Sequence, residues 1–111
     1  MKISLKQTNS FDKGDFKGNI YVAKKGGKKF SALLVECITR HYKTRIKGVS
    51  RMYLVIEGTG TFTINEQKST VGPNDFLIVS DGDTYEYEGK MKLFEFNIPA
   101  ADETNQENLE I

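Results

Sequence analysis

The sequence predicts an all-β domain of antiparallel strands closed into a sandwich or barrel, with little or no helix, on three observations. Apolar and polar residues alternate with period two along most of the chain. The alternating runs are short, and clusters of Gly, Pro, Asn and Asp that mark turns separate them. Before the last dozen residues nothing carries the i, i+3, i+4 apolar repeat of a helix. A length of 111 residues corresponds to one domain, since domains cluster near about 100–150 residues.

Residues 1–17 are expected to form an N-terminal segment packing on a barrel that spans 18–99. The first barrel strand is 18–23, followed by a charged turn, KKGGKK at 24–29, centred on Gly26-Gly27. Residues 30–39 (FSALLVECIT) read as one long strand with Leu33, Val35 and Cys37 on one face and Leu34 and Ile38 on the other. Both faces are largely apolar, so this strand is expected between two packed layers. The next strand is 51–57. Strands 61–64 and 67–71 flank Asn65-Glu66, a two-residue hairpin turn. Gly72-Pro73-Asn74-Asp75 is a turn, because Pro presets one dihedral and Asn and Asp tolerate the others. Residues 76–79 read as a buried run, 80–83 as a turn, and 84–88 as a strand with Tyr85 and Tyr87 on one side. The last strand, 91–98, sets Phe94, Phe96 and Ile98 on a single face before Pro99 ends the sheet. The acidic tail, 100–111, is either a short helix begun near Asp102 or disordered.

Composition excludes several function classes. One cysteine, Cys37, forms no internal bridge and no CxxC pair for zinc or thiol redox chemistry; inside an apolar strand it reads as an inert thiol. No uncharged apolar run approaches the roughly 18 residues that span a bilayer, and no signal-peptide core is evident, so the expectation is a soluble, cytoplasmic protein with no membrane partner. The net charge of +1 hides an asymmetry: residues 1–51 hold 13 Lys or Arg against 3 acids, and residues 52–111 hold 3 Lys against 12 acids. With no aromatic-interleaved basic stretch or recognition helix, the preferred reading is neutralisation of the two halves across paired strands, and no nucleic acid partner.

Two stretches carry a family pattern. Tyr53-Leu54-Val55-Ile56-Glu57-Gly58-Thr59-Gly60 looks like the "YVLEGxG" strand and turn closing the first cupin motif. Gly72-Pro73-Asn74-Asp75-Phe76-Leu77-Ile78-Val79-Ser80-Asp81-Gly82-Asp83-Thr84-Tyr85 looks like the "PGD…IPxGxxH" run of the second. Their order and separation match too, so residues 51–99 resemble the small single-domain cupins, and the resemblance implies a cupin-type antiparallel jelly-roll β-barrel. Metal-dependent cupins bind their ion through two His in HxH, a Glu a few residues later and a second-motif His. Family spacing sets these seats at Arg45, Lys47, Arg51 and Tyr85; a second register sets His41-Tyr42-Lys43 in place of HxH. The chain has one histidine, so neither register supplies the family's imidazoles. The resemblance thus implies a barrel whose metal ligands are replaced, with neither metal nor cofactor.

In that barrel, period-two alternation turns Arg51, Tyr53 and Val55 inward and Met52, Leu54 and Ile56 outward. Arg45 and Lys47 share a face, and Tyr85 and Tyr87 converge from the second motif. Buried cations need partners. The expected function is therefore a non-catalytic module binding a small anionic or sugar-like ligand among His41, Arg45, Lys47, Arg51, Tyr53, Tyr85 and Tyr87. Glu57 or Glu86 could instead neutralise the cations from within the protein. One alternative is a metal-free sugar isomerase or epimerase, with His41 and Tyr85, joined by Glu57, as the candidates for its acid and base. Another is a homodimeric scaffold joined through Met52, Leu54 and Ile56.

Overall fold

The computed structural model describes residues 1–25 and 29–111, so the centre of the expected turn at 24–29 lies outside the described residues. The strands are β1 (Asn9–Asp12), β2 (Phe16–Val22), β3 (Ser31–Cys37), β4 (Arg40–Ile46), β5 (Ser50–Gly58), β6 (Gly60–Ile64), β7 (Gln67–Val71), β8 (Phe76–Val79), β9 (Thr84–Glu88), β10 (Met91–Ile98) and β11 (Gln106–Asn108). They form two antiparallel sheets, in the orders β1-β2-β3-β10-β5-β8 and β11-β4-β9-β6-β7. The two sheets face each other across one core, in which Val35, Cys37, Ile46, Tyr53, Val55, Phe62, Val79, Tyr85, Tyr87 and Leu93 are buried. The only helical pieces among the described residues are two 3-10 turns, Leu5–Gln7 and Glu103–Asn105. None of the described helices is long and apolar enough to cross a membrane.

The all-β antiparallel expectation holds, and the runs at 67–71, 76–79, 84–88 and 91–98 are strands with those bounds. The hairpin turn has both central residues at positive φ, Asn65 at 50° and Glu66 at 70°, as a type I′ connection requires. Asn65 suits it further: its amide donates to Asp83 Oδ1 at 2.8 Å and its Oδ1 accepts from the Thr84 N–H at 3.0 Å.

Three expectations need correction, and a fourth, for the tail, holds only in part. The run at 30–39 is not one strand; β3 stops at Cys37, the chain bends at Ile38 and Thr39, whose N–H groups both donate to the Asp15 carbonyl, and β4 then enters the opposite sheet. Nor is β3 packed on both faces: Val35 and Cys37 are buried inside, whereas Leu34 is half-buried and Ile38 exposed. The run at 76–79 is not buried throughout, because β8 is an edge strand with Phe76 58% and Ile78 57% exposed. The tail is ordered, and the short helix expected near Asp102 is a single 3-10 turn, Glu103–Asn105, followed by an unexpected strand. Asp102 caps the second 3-10 turn, accepting from the Thr104 N–H at 2.9 Å, and β11 then pairs with β4 through Gln106 opposite Ile46 and Glu107 opposite Arg45.

The charge asymmetry resolves within the molecule. Of the six ion pairs among the described residues, five join a cation of residues 1–51 to an acid of residues 52–111: Lys24–Asp102, Arg40–Glu110, Lys43–Glu66, Arg45–Glu107 and Arg51–Glu95. Four of these five are exposed and add little stability singly. Arg40 and the Lys43 N–H bind Glu110 and hold its carboxyl down at about 2.

Gly58 closes β5 with φ of 82°, and a Cβ there would collide with the carbonyl oxygen of Lys90. Backbone strain and steric conflict therefore combine at this position. Gly58→Ala is expected to destabilise the fold by about 2 kcal/mol or more, read as a lower urea midpoint; a midpoint unchanged from wild type contradicts this account.

Candidate functional site

The interior face of the first sheet turns polar at one end. Arg51 on β5, Glu95 and Asn97 on β10, and Ser31 on β3 are all buried. Strand register makes them neighbours, since Arg51 lies opposite Asn97 and Asn97 opposite Ser31. The Arg51 Nε donates to Asn97 Oδ1 at 2.6 Å and lies 3.4 Å from Glu95 Oε2. The Asn97 amide donates to Ser31 Oγ and to Glu95 Oε2, both at 3.1 Å. From the opposite sheet, Tyr85 Oη and Gln106 Oε1 each accept from Arg51 Nη1, at 2.9 and 3.0 Å. Tyr85 Oη also shares a 2.9 Å hydrogen bond with Tyr53 Oη. Burial works against the guanidinium charge, but Glu95, Tyr85 and Tyr53 outweigh it and raise the Arg51 pKa well above its ordinary range.

Beside this network lies an aromatic cage around the chain's one histidine. The His41 ring centroid is 4.5 Å from those of Phe16 and Tyr42, 5.1 Å from Tyr87 and 5.3 Å from Tyr85, the last stacked. Burial is the main force on its imidazole and pulls the pKa down to about 4, so the ring is neutral at pH 7. Its Nδ1 lies 2.8 Å from the Tyr42 carbonyl oxygen. A carbonyl only accepts, so Nδ1 carries the proton and Nε2 keeps a free lone pair. Burial likewise raises the three phenols. The rise is smaller for Tyr85, whose oxygen is bonded to Arg51 and Tyr53, than for Tyr53 and Tyr87. Tyr87 Oη is the one buried side-chain polar atom among the described residues that has no hydrogen-bond partner.

A cavity of about 630 Å³ opens onto these groups. Its lining includes Phe16, Val35, His41, Tyr42, Arg51, Tyr87, Glu95 and Asn97, with Lys13, Lys24, Glu103 and Gln106 toward the outside. Size, apolar walls and a few converging polar groups are those of a small-molecule site.

The expected residues are brought together only in part. His41, Arg51, Tyr53, Tyr85 and Tyr87 share the interior. Arg45 and Lys47 do not: both are exposed, and Arg45 pairs with Glu107 on the tail strand. The cause is a β-bulge in β4. His41 lies opposite Tyr87 and Thr44 opposite Tyr85, so three steps on β4 match two on β9, and the inward phase moves from 41 to 44 and 46. The inward cation that remains, Arg51, is matched by Glu95, so the expected positively charged mouth is not formed by these residues. Glu57 and Glu86 do not serve as its counter-ion; Glu57 pairs with Lys92. Sequence reasoning missed Glu95, Asn97, Ser31, Tyr42 and Gln106. For the first two the sequence carries a signal: they alternate with Phe94, Phe96 and Ile98, which share the other face.

Two measurements check this geometry. Protons bound by His41 differ between the unfolded chain, near pKa 6.5, and the folded one, near 4. The unfolded state binds more protons in that window, so stability present above pH 6.5 falls as pH drops to 4, by up to about 3 kcal/mol. Thermal melts of wild type and His41→Gln against pH should show this slope in wild type and a weaker one in the variant; equal slopes contradict the neutral assignment. Separately, Tyr85→Phe breaks two buried hydrogen bonds and should cost about 1–3 kcal/mol, whereas Tyr87→Phe removes an unpartnered hydroxyl and should be neutral or stabilising. Urea titrations giving the reverse order would refute the hydrogen-bond assignment.

No protein-family model matches the chain, and no curated protein is significantly similar to it in sequence. Solved structures are similar in fold. The nucleoside dehydratase Pac13 superposes with a TM-score of 0.88 at 20% identity, over 98% of this chain and 90% of that one. Streptomyces Pac13 variants, two with a tyrosine replaced by phenylalanine and one with a histidine replaced by glutamine, are known with uridine. Ectoine synthase from P. lautus gives a TM-score of 0.78 at 15% identity, over 98% of this chain and 89% of that one. The Schizosaccharomyces pombe Cnp3 cupin domain gives 0.74 at 18% identity, over 94% and 84%. With these neighbours and two antiparallel sheets in jelly-roll arrangement around one cavity, the chain has the fold of a small cupin-type domain.

Proposed function

We propose that the cavity is an acid–base active site that binds a nucleoside or a similar sugar-bearing molecule and removes water from its sugar. The carrying observation is His41: its Nδ1 is committed to the Tyr42 carbonyl, its pKa lies near 4, and it lines the cavity, so a free imidazole base is available at neutral pH. In the reaction, His41 Nε2 accepts a proton from a sugar carbon and the C–H electron pair forms a double bond to the neighbouring carbon. The hydroxyl on that neighbour leaves with a proton from the imidazolium just formed or from Tyr87, the one phenol of the three that lines the cavity. Arg51, which itself lines the cavity, is held by Glu95, Asn97 and Tyr85. Glu95 adds a carboxylate beside the cavity that can accept from sugar hydroxyls, and the orphan Tyr87 Oη offers one further hydrogen bond.

The fold neighbours support this reading by analogy: one acts on nucleosides, and the residue types changed in its uridine-bound variants, tyrosine and histidine, are those gathered here. The reading needs no metal, and the donors present do not suit one. The cavity offers one imidazole and one carboxylate, the latter already engaged by Arg51 and Asn97, and among the described residues no three His, Cys, Asp or Glu side chains gather. Because Glu95 matches Arg51, an uncharged polyol fits better than an anion.

The test uses purified protein with uridine and nucleosides oxidised on the sugar. The expected results are a rise in Tm with nucleoside, loss of one water from the turned-over member by mass spectrometry, and a fall of about 100-fold or more in rate for His41→Gln with binding kept. Stabilisation without any water loss or solvent-deuterium exchange would replace this reading by the non-catalytic binding module; no stabilisation by any nucleoside would overturn both.

A further inference from the structure

The end of the chain forms one side of the cavity mouth without joining the core. Ala101, Asp102, Glu103 and Gln106 line the cavity. Ala100 is buried, but after it no residue is buried again, and none of residues 102–111 belongs to the hydrophobic core. The attachments that hold this segment are polar. At its near end the Ala101 N–H donates to Ser31 Oγ at 3.1 Å. In the middle, Lys24 Nζ donates to Asn105 Oδ1 at 2.9 Å, the Lys47 N–H to the Asn105 carbonyl at 2.8 Å, and Arg51 Nη1 to Gln106 Oε1 at 3.0 Å. At the far end Glu110 accepts from Arg40 Nη1 at 3.0 Å and from the Lys43 N–H at 2.6 Å.

We infer that residues 102–111 are a strap, hinged at Ala100-Ala101 and clasped by Glu110, which opens as a unit to admit a ligand to the cavity while the barrel stays folded. A segment that adds nothing to the core, held by exposed ion pairs and hydrogen bonds, opens at a free energy well below that of global unfolding. The barrel survives its release. The strap's one strand, β11, is the outermost of the second sheet, so opening breaks a single ladder and leaves β4 paired with β9. Opening strands no charge either. Arg51 Nη1 gives up Gln106 but keeps Tyr85, Glu95 stays beside Nε, and water at the widened mouth replaces the lost acceptor. Closing returns Gln106 to Arg51 and puts the lining residues back around whatever has entered, as lids do when they shut water out of a site. The strap governs access, so it serves any ligand of the cavity, whatever reaction follows.

Two measurements on the full chain test the strap. Hydrogen exchange should show the amides of β11 and Leu109 opening at least about 100-fold more often than those of the central strands β5 and β10. Glu110→Gln should raise exchange at least about fivefold in the strap alone, Arg40→Glu should act likewise, and Arg40→Glu combined with Glu110→Arg should restore protection. Access is read by labelling Val35→Cys, at a position that lines the cavity, with the disulfide reagent dithiobis-nitrobenzoate. The native Cys37, buried in the core outside that lining, reports global unfolding in the same chain. Labelling at 35 should quicken in step with strap exchange when Glu110→Gln is added, with labelling of Cys37 unchanged. Amides of β11 as protected as those of β5 and β10, or a thiol at 35 that reacts equally fast with the clasp intact and broken, would overturn the inference.

Discussion

A guanidinium inside the barrel is the constraint on which the rest of the architecture depends. Arg51 cannot be buried alone, because desolvating a charge costs several kcal/mol unless a partner and hydrogen bonds replace water. Glu95 supplies the countercharge, Asn97, itself anchored on Ser31, bonds both from the same sheet, and Tyr85 and Gln106 complete Nη1 from the other. One side chain therefore ties β3, β5 and β10 to β9 and β11. Gln106 explains why the tail folds at all: an acidic, polar segment has little apolar surface to bury, but it contributes an acceptor to Arg51 and ion pairs to Arg40 and Arg45. A buried pair of this kind is weak evidence for stability and good evidence for orientation. Here it holds Tyr85 in the interior and orients the Glu95 carboxylate that lines the cavity.

The same low-dielectric interior decides the protonation of everything around the pair. It lowers His41 and raises Tyr53, Tyr85 and Tyr87, so that at neutral pH the base is free and the acids keep their protons. Differences among the phenols follow from hydrogen bonding. Tyr85, held by Arg51 and Tyr53, rises least; Tyr87, with no partner at its oxygen, is among those raised furthest. Neutral acids and bases in one cavity can move protons without first changing the charge of the site. That property distinguishes this interior from the cationic mouth that the motif spacing alone suggested.

Much of the fold was legible because its strands obey local rules. Asn65-Glu66 and the turns at 72–75 and 80–83 bracket β6 through β9, and three of those strands took their expected bounds. Legibility failed where tertiary pairing overrides local pattern. The bulge between His41 and Thr44 shifts the phase of β4 by one residue, which no period-two count can detect, and it turns Arg45 and Lys47 out to solvent. β11 has no apolar pattern of its own and exists through pairing with β4. The site was legible as residue types in the second half, Tyr85 and Tyr87, and along β5, where alternation from Gly58 back to Arg51 is regular enough to assign Tyr53 and Arg51 to the interior.

β10 is the most informative strand because its two faces run against the usual rule. Phe94, Phe96 and Ile98 would ordinarily be assigned to the core, yet the inward residues at the same levels are Glu95 and Asn97, with apolar Leu93 and Met91 following at the other end. The reason lies across the barrel. Arg51 is fixed inward by its place in β5, and its neighbour in register must answer a charge, so polar residues occupy the inner face wherever β10 runs beside it. Strand geometry then sends the alternating phenylalanines outward, onto the rows formed with Met52 and Leu54. Polar groups within and an apolar face without are two sides of one sequence decision, so a change that moved the register of β10 by a single residue would bury the phenylalanines, expel Glu95 and Asn97, and remove both features together.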